Sequence, residues 1–100
     1  MVILRQKMRS KPDKSDDVTV ALAAIIAPAR ATPGVMHLDI ARDLLDQDSF
    51  IATAVYEDRA GIERQESAAE VHRAIALFAD ALVAPPDRTI FDAAVDPVLV

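Results

Sequence analysis

SFIATAVYED, residues 49–58, reads as a β-strand running into an acidic turn. Side chains alternate along a strand, so Phe50, Ala52, Ala54 and Tyr56 share one face and Ile51, Thr53 and Val55 share the other. The first face sets small residues between two rings, although bulkier side chains would bury more surface. Alanines at such positions imply either a partner packed close against the strand or a cavity left beside it.

The neighbouring segments give that strand its place. VMHLDIARD, residues 35–43, alternates as well, with Met36, Leu38 and Ile40 on one face and His37, Asp39 and Ala41 on the other. LLDQD, residues 44–48, is the turn that brings residues 49–56 back antiparallel. Asp43, Asp46 and Asp48 crowd this turn, but the glycine and terminal glutamate of a calcium loop are missing, and the segment reads as a solvated turn. At the N-terminus, Val2, Leu4 and Met8 share a strand face with Gln6, opposite Ile3, Arg5, Lys7 and Arg9.

Two stretches carry helical spacing. Val18, Leu22, Ile25 and Ala29 form a stripe, with Asp13 or Ser15 as the expected cap; Pro28 is expected to kink or end the regular helix. Asp58 is expected to start a short helix or turn. Ser67 and Glu70 then have the spacing of a capping box ahead of a second long helix, whose core stripe is Val71, Ile75, Phe78 and Leu82. RTIFDAAV, residues 88–95, is a last short strand and DPVLV, residues 96–100, an apolar tail.

The order strand, helix, strand, strand, helix, strand is the ferredoxin-like βαββαβ pattern, an α+β fold with two helices on one face of a four-stranded antiparallel sheet. The other face stays bare unless something covers it. If Ile51, Thr53 and Val55 meet the helices, the bare face carries Phe50, Ala52, Ala54 and Tyr56. A bare apolar face predicts a homodimer stacked sheet on sheet.

Composition narrows the function. The chain has 100 residues, which suits a single domain over 1–100, and 52% of them are hydrophobic. Its net charge is −5, against the clustered positive charge that nucleic acids and anionic membranes require. The apolar run Val18–Ala29 falls short of the roughly 20 residues of a membrane span, and the acidic segment before it does not suit a signal peptide. There is no cysteine for a disulfide, thiol nucleophile or thiolate metal site, which fits a cytoplasmic protein. Gly34 and Gly61 are the only glycines, so no glycine-rich phosphate loop exists.

Several short motifs, taken in order, carry a resemblance. Lys11–Pro12 closes the first strand, IAPARATPG spans 26–34, Arg42–Asp43 ends the second strand, and Phe50 is followed by Tyr56–Glu57–Asp58. Together they resemble the antibiotic biosynthesis monooxygenase family of small dimeric α+β barrel proteins. The resemblance implies cofactor-independent oxygenation of a small aromatic or enolic substrate, such as a hydroquinone or anthrone, by molecular oxygen. It equally admits a dimeric ligand-binding or stress-associated barrel without enzyme activity. Tyr56 stands where such proteins often carry Trp, Ala54 where they carry Glu, Leu38 where Tyr is frequent, and Gln65 and Glu70 where many have His. The absence of Trp and Asn sets the chain apart from the haem-degrading branch.

Arg5, Tyr56 and His72 are the candidate catalytic residues. Arg5 is an anion stabiliser if its strand face lines a water-poor space; otherwise Arg5, Lys7 and Arg9 reach solvent and pair with Asp39 or Glu57. Tyr56 either orients a substrate oxygen or packs in an interface. His72 is either a general base or an exposed helix histidine. Phe50, Ala52, Ala54, His37 and Lys7 are the candidate substrate-binding residues. No set of ligands has convincing metal spacing. Arg30 suits the negative end of its helix and reads as structural.

Overall fold

The computed structural model describes residues 1–93. In chain order these form β1 (Val2–Arg9), a 3₁₀ turn (Pro12–Lys14), α1 (Ser15–Arg30), β2 (Val35–Arg42), β3 (Ser49–Tyr56), α2 (Arg59–Glu66), α3 (Ala69–Ala81) and β4 (Asp87–Asp92). The four strands make one sheet in the order β2-β3-β1-β4, and the neighbours pair antiparallel. This is the ferredoxin-like α+β fold that the element order implies. The C-terminal tail, residues 96–100, lies outside the described residues, as does the end of the last strand expected at 88–95.

The α1 stripe packs as its spacing predicts: Val18, Leu22, Ile25 and Ala29 are all buried. On α3 the buried positions are Val71, Ala74 and Ala81, while Ile75 is 55% exposed and Phe78 half-buried. Alanines at 74 and 81 let α3 sit close, so Ile75 and Phe78 come to lie along its flank, while Leu82 of the expected stripe, just past the helix end, is buried.

The sheet faces are the reverse of the expectation. Phe50, Ala54 and Tyr56 are buried under the helices, in register with Met8, Leu4 and Val2 of β1. Ile51, Thr53 and Val55 occupy the uncovered face instead. Both rows of β3 are apolar enough to be buried, so alternation alone leaves the choice open. The neighbours decide it. Thr53 pairs across the sheet with Arg5 on one side and Asp39 on the other, and that charged row is excluded from the apolar core beneath the helices.

Two caps also differ. No side chain caps α1, which follows directly from the 3₁₀ turn, and Ser15 instead donates to the Gln47 carbonyl at 3.4 Å. The Ser67–Glu70 capping box does not form. The preceding helix α2 runs a full two turns, so Ser67 becomes its C-cap and donates to the Arg64 carbonyl at 2.7 Å. The helix α1 continues two residues past Pro28 before it stops. Pro28 sits in the last turn, where the one bond that its missing N–H removes matters least.

The β2–β3 turn is closed by Asp46. Its carboxylate accepts from the Ser49 hydroxyl at 2.7 Å and the Asp48 amide at 3.0 Å, and pairs with Arg9 at 3.0 Å. These donors, Ser49 first, hold the Asp46 carboxyl below the usual aspartate range.

Candidate functional site

Between the helices and the sheet lies a cavity of about 290 Å³. Its floor is β3, where Ala52 and Ala54 leave the space that larger residues would fill. Leu4 and Met8 of β1 extend the floor, and Leu22, Ile25, Ala74 and Phe78 of the two long helices form the roof. The opening stretch of sequence thus encloses a cavity on its alanine face, beneath the helices.

One end of this apolar space is polar. Tyr56, at the end of β3, is fully buried and its hydroxyl donates to Oε1 of Gln65. Beside them Glu66 forms an ion pair with Arg88 of β4, and all four side chains line the cavity. Burial raises the Tyr56 phenol to about 12; the Glu66 charge adds to the rise and Arg88 works against it. Tyr56 is therefore a neutral hydrogen-bond donor across the physiological range.

The polar end is set by how α2 docks. Asp58 caps that helix, accepting from the Gly61 amide at 3.2 Å. Gly61 then meets the start of β2: a Cβ there would stand 3.0 Å from the Gly34 carbonyl oxygen and 3.2 Å from Cδ1 of Tyr56. Gly34 itself has φ +88°, the left-handed region that favours glycine, and its carbonyl accepts from the Glu57 amide at 2.9 Å. This close contact turns Gly61, Ile62 and Gln65 inward on one helix face.

The structure brings Tyr56, Ala52 and Ala54 together in the cavity wall. Phe50 is buried, with the Arg42 guanidinium 5.0 Å from its ring centre, but stands outside the wall. Arg5 and Lys7 project from the uncovered face of the sheet, His37 is exposed on edge strand β2, and His72 is exposed on α3. Asp39, an expected partner of the basic row, pairs instead with Arg30 at 3.4 Å, and Arg30 also donates to the Leu38 carbonyl at 3.0 Å. Among the described residues, no group of three or more His, Asp or Glu is placed to hold a metal ion. No helix among them is long and apolar enough to cross a membrane.

Gln65, Glu66 and Arg88 are cavity residues that the sequence reading did not propose as site residues. A signal for Gln65 existed in the spacing Gly61, Ile62, Gln65 after a capping aspartate. Arg88 had none, because its position depends on the register of β4 against β1, where it lies opposite Gln6.

Residues 1–77 match the sequence model of the antibiotic biosynthesis monooxygenase family. The chain belongs to that family. Solved structures agree on the fold. A Mycobacterium tuberculosis protein superposes with a TM-score of 0.88 at 18% identity, over 97% of this chain and 98% of that one. A protein solved as an antibiotic biosynthesis monooxygenase gives 0.86 at 19% identity, over 94% and 99%. A Pseudomonas aeruginosa protein gives 0.86 at 20% identity, over 94% of each. An uncharacterised protein of Synechocystis is 23% identical over 90 residues. The match takes in 90% of this chain, and the chain spans about three fifths, 61%, of that relative's length.

Proposed function

We propose that the protein is a cofactor-independent monooxygenase of a small aromatic or enolic molecule bearing an acidic hydroxyl. The observation that carries this reading is the cavity itself: an apolar space floored by alanines, with the Tyr56–Gln65 and Glu66–Arg88 pairs at one end. Small-molecule sites are commonly apolar with a few convergent polar groups, and this volume, near the lower end of about 300–1,000 Å³, suits one or two rings.

In this reading the ring system lies on Ala52 and Ala54, and its hydroxyl meets the polar end. Glu66 accepts the hydroxyl proton, while the Arg88 cation stabilises the resulting anion at the cavity rim. Tyr56, its hydroxyl donating to Gln65, stays neutral and its ring walls that end of the cavity against the substrate. The anion passes one electron to oxygen, and the radical pair collapses to form a carbon–oxygen bond. The hydroperoxide then loses water as its O–O bond breaks. One oxygen atom stays in the product and the other leaves as water, so no outside reductant is needed.

The uncovered sheet face supports a homodimer. It carries Ile3, Ile51 and Val55 half-buried and Phe91 at 50% exposure, with Arg5 and Lys7 among them. Members of this family are commonly dimeric. A second copy stacked on this face would bury that apolar row, and would bring Arg5 and Lys7 to the interface rather than to the cavity. Light scattering at micromolar concentration should give twice the monomer mass; a monomer mass would rule the dimer out.

A second reading is a ligand-binding barrel that does not turn its ligand over. The placement of both histidines on exposed surface, away from the cavity, favours it. Oxygen uptake by the chelator-treated protein against a panel of hydroquinones and enols separates the two. Uptake above the buffer rate, lost on Arg88→Gln, supports the monooxygenase. A rate equal to buffer, with the panel members still raising the melting temperature, supports the binding protein.

A further inference from the structure

The hydrogen-bonding capacity left at the polar end of the cavity is mostly that of donors. Gln65 is 8% exposed and lines the cavity; its Oε1 accepts from Tyr56, and its Nε2 has no partner among the described residues. The Arg88 guanidinium carries five N–H groups, and its one partner among the described residues is the carboxylate of Glu66. The Tyr56 proton is already engaged. An amide donor and a guanidinium lining the same cavity are therefore matched by an acceptor, and best by a charged one.

Glu66 now supplies that charge, but from the cavity rim. The Glu66 and Arg88 side chains are 38% and 37% exposed, so their pairing is the solvent-screened kind that contributes little. Rotation of Glu66 outward returns its carboxylate to water and leaves Arg88 and the Gln65 amide facing the cavity. A ligand oxyanion there gains two convergent donors, one of them able to bind in a two-pronged fashion. A cationic ligand would meet Arg88 and the amide donor, both unfavourable, with one rim carboxylate to offset them.

We propose that the site selects a one- or two-ring ligand that binds as an anion, its charged oxygen received by Gln65 and Arg88 in the place that Glu66 now holds. Glu66 is thus a built-in competitor that tunes affinity. This rests on the reading of the cavity as the ligand site, but it does not require turnover.

The test is calorimetry at pH 7 with 2-naphthoate and its neutral, similarly shaped counterpart 2-naphthamide. The wild-type protein should bind the carboxylate at least about tenfold more tightly. Arg88→Gln should remove that preference. Glu66→Gln should strengthen naphthoate binding severalfold while it abolishes oxygen uptake, an affinity gain that a merely structural role would not produce. Equal affinity for the two probes, or weaker naphthoate binding in Glu66→Gln, overturns the anion exchange and leaves the cavity standing as a ligand site. Failure of both probes to bind overturns the exchange and the ligand-site reading together. The variants' melting curves establish that each is folded before it is compared.

Discussion

Removing the Tyr56 hydroxyl tests the polar end most sharply. In Tyr56→Phe the Gln65 carbonyl oxygen loses its donor inside a side chain that is 8% exposed, and Phe fills the same ring volume, so packing is unchanged. Leaving one buried partner unsatisfied costs about 1–3 kcal/mol. For a domain of this size each kcal/mol moves the melting temperature by roughly 4–8 °C, so a loss near the middle of that range lowers it by on the order of 10 °C. Gln65→Leu strands the fully buried tyrosine hydroxyl instead and should cost a similar amount. With both partners replaced, nothing is left unpaired, and the double variant should be more stable than the sum of the single losses predicts, by about 1–3 kcal/mol. Urea denaturation of the four proteins measures that coupling. Additivity within about 0.5 kcal/mol would refute the argument, because it would mean that the two side chains do not depend on each other.

Other consequences follow from the same geometry. Tyr56 is the only tyrosine and there is no tryptophan, so tyrosinate absorbance titrates this one phenol; it should ionise near 12 rather than 10. Because the folded value is the higher one, the associated stability is complete below pH 10 and is lost as pH rises toward 12; Tyr56→Phe should lack that alkaline component, and a titration midpoint at 10 would contradict the burial argument. Gly34→Ala places a Cβ at φ +88°, 2.5 Å from Nη2 of Arg64; the backbone strain should destabilise by about 1–2 kcal/mol in a melting experiment. Ala54→Leu fills the cavity floor and should abolish ligand binding while the far-ultraviolet circular dichroism stays native; retained binding would place the ligand elsewhere. Arg5→Ala should leave naphthoate binding untouched, since Arg5 lies on the far face of the sheet; a loss would return Arg5 to the site.

The fold was legible because several signals coincide. The α1 stripe, the turn at 44–48 and the alternating strands each point to the same element order, and the family motifs span the same chain. The cavity was legible in part. Tyr56 and the alanines stood out because small residues between rings violate the usual economy of a strand face. What alternation could not supply was the side of the sheet on which they lie. Ile51 and Val55 are as apolar as their neighbours, and the decision rests on the cross-strand row Arg5–Thr53–Asp39, which exists only once the register is known. Arg88 illustrates the same limit, since it reaches Glu66 through pairing of β4 beside β1, a long-range fact. The capping box failed for a local reason: Ser67 had a rival use as the end of α2.

The most direct test of the central claim follows the oxygen atoms. The chelator-treated protein is incubated with 1,4-naphthohydroquinone under ¹⁸O₂, and the products are weighed by mass spectrometry. Monooxygenation converts the quinol and oxygen to 2-hydroxy-1,4-naphthoquinone and water, so the account predicts one ¹⁸O in the product, faster than in buffer and suppressed in Ala54→Leu. Unlabelled naphthoquinone with hydrogen peroxide, formed at the same rate in both proteins, would contradict it.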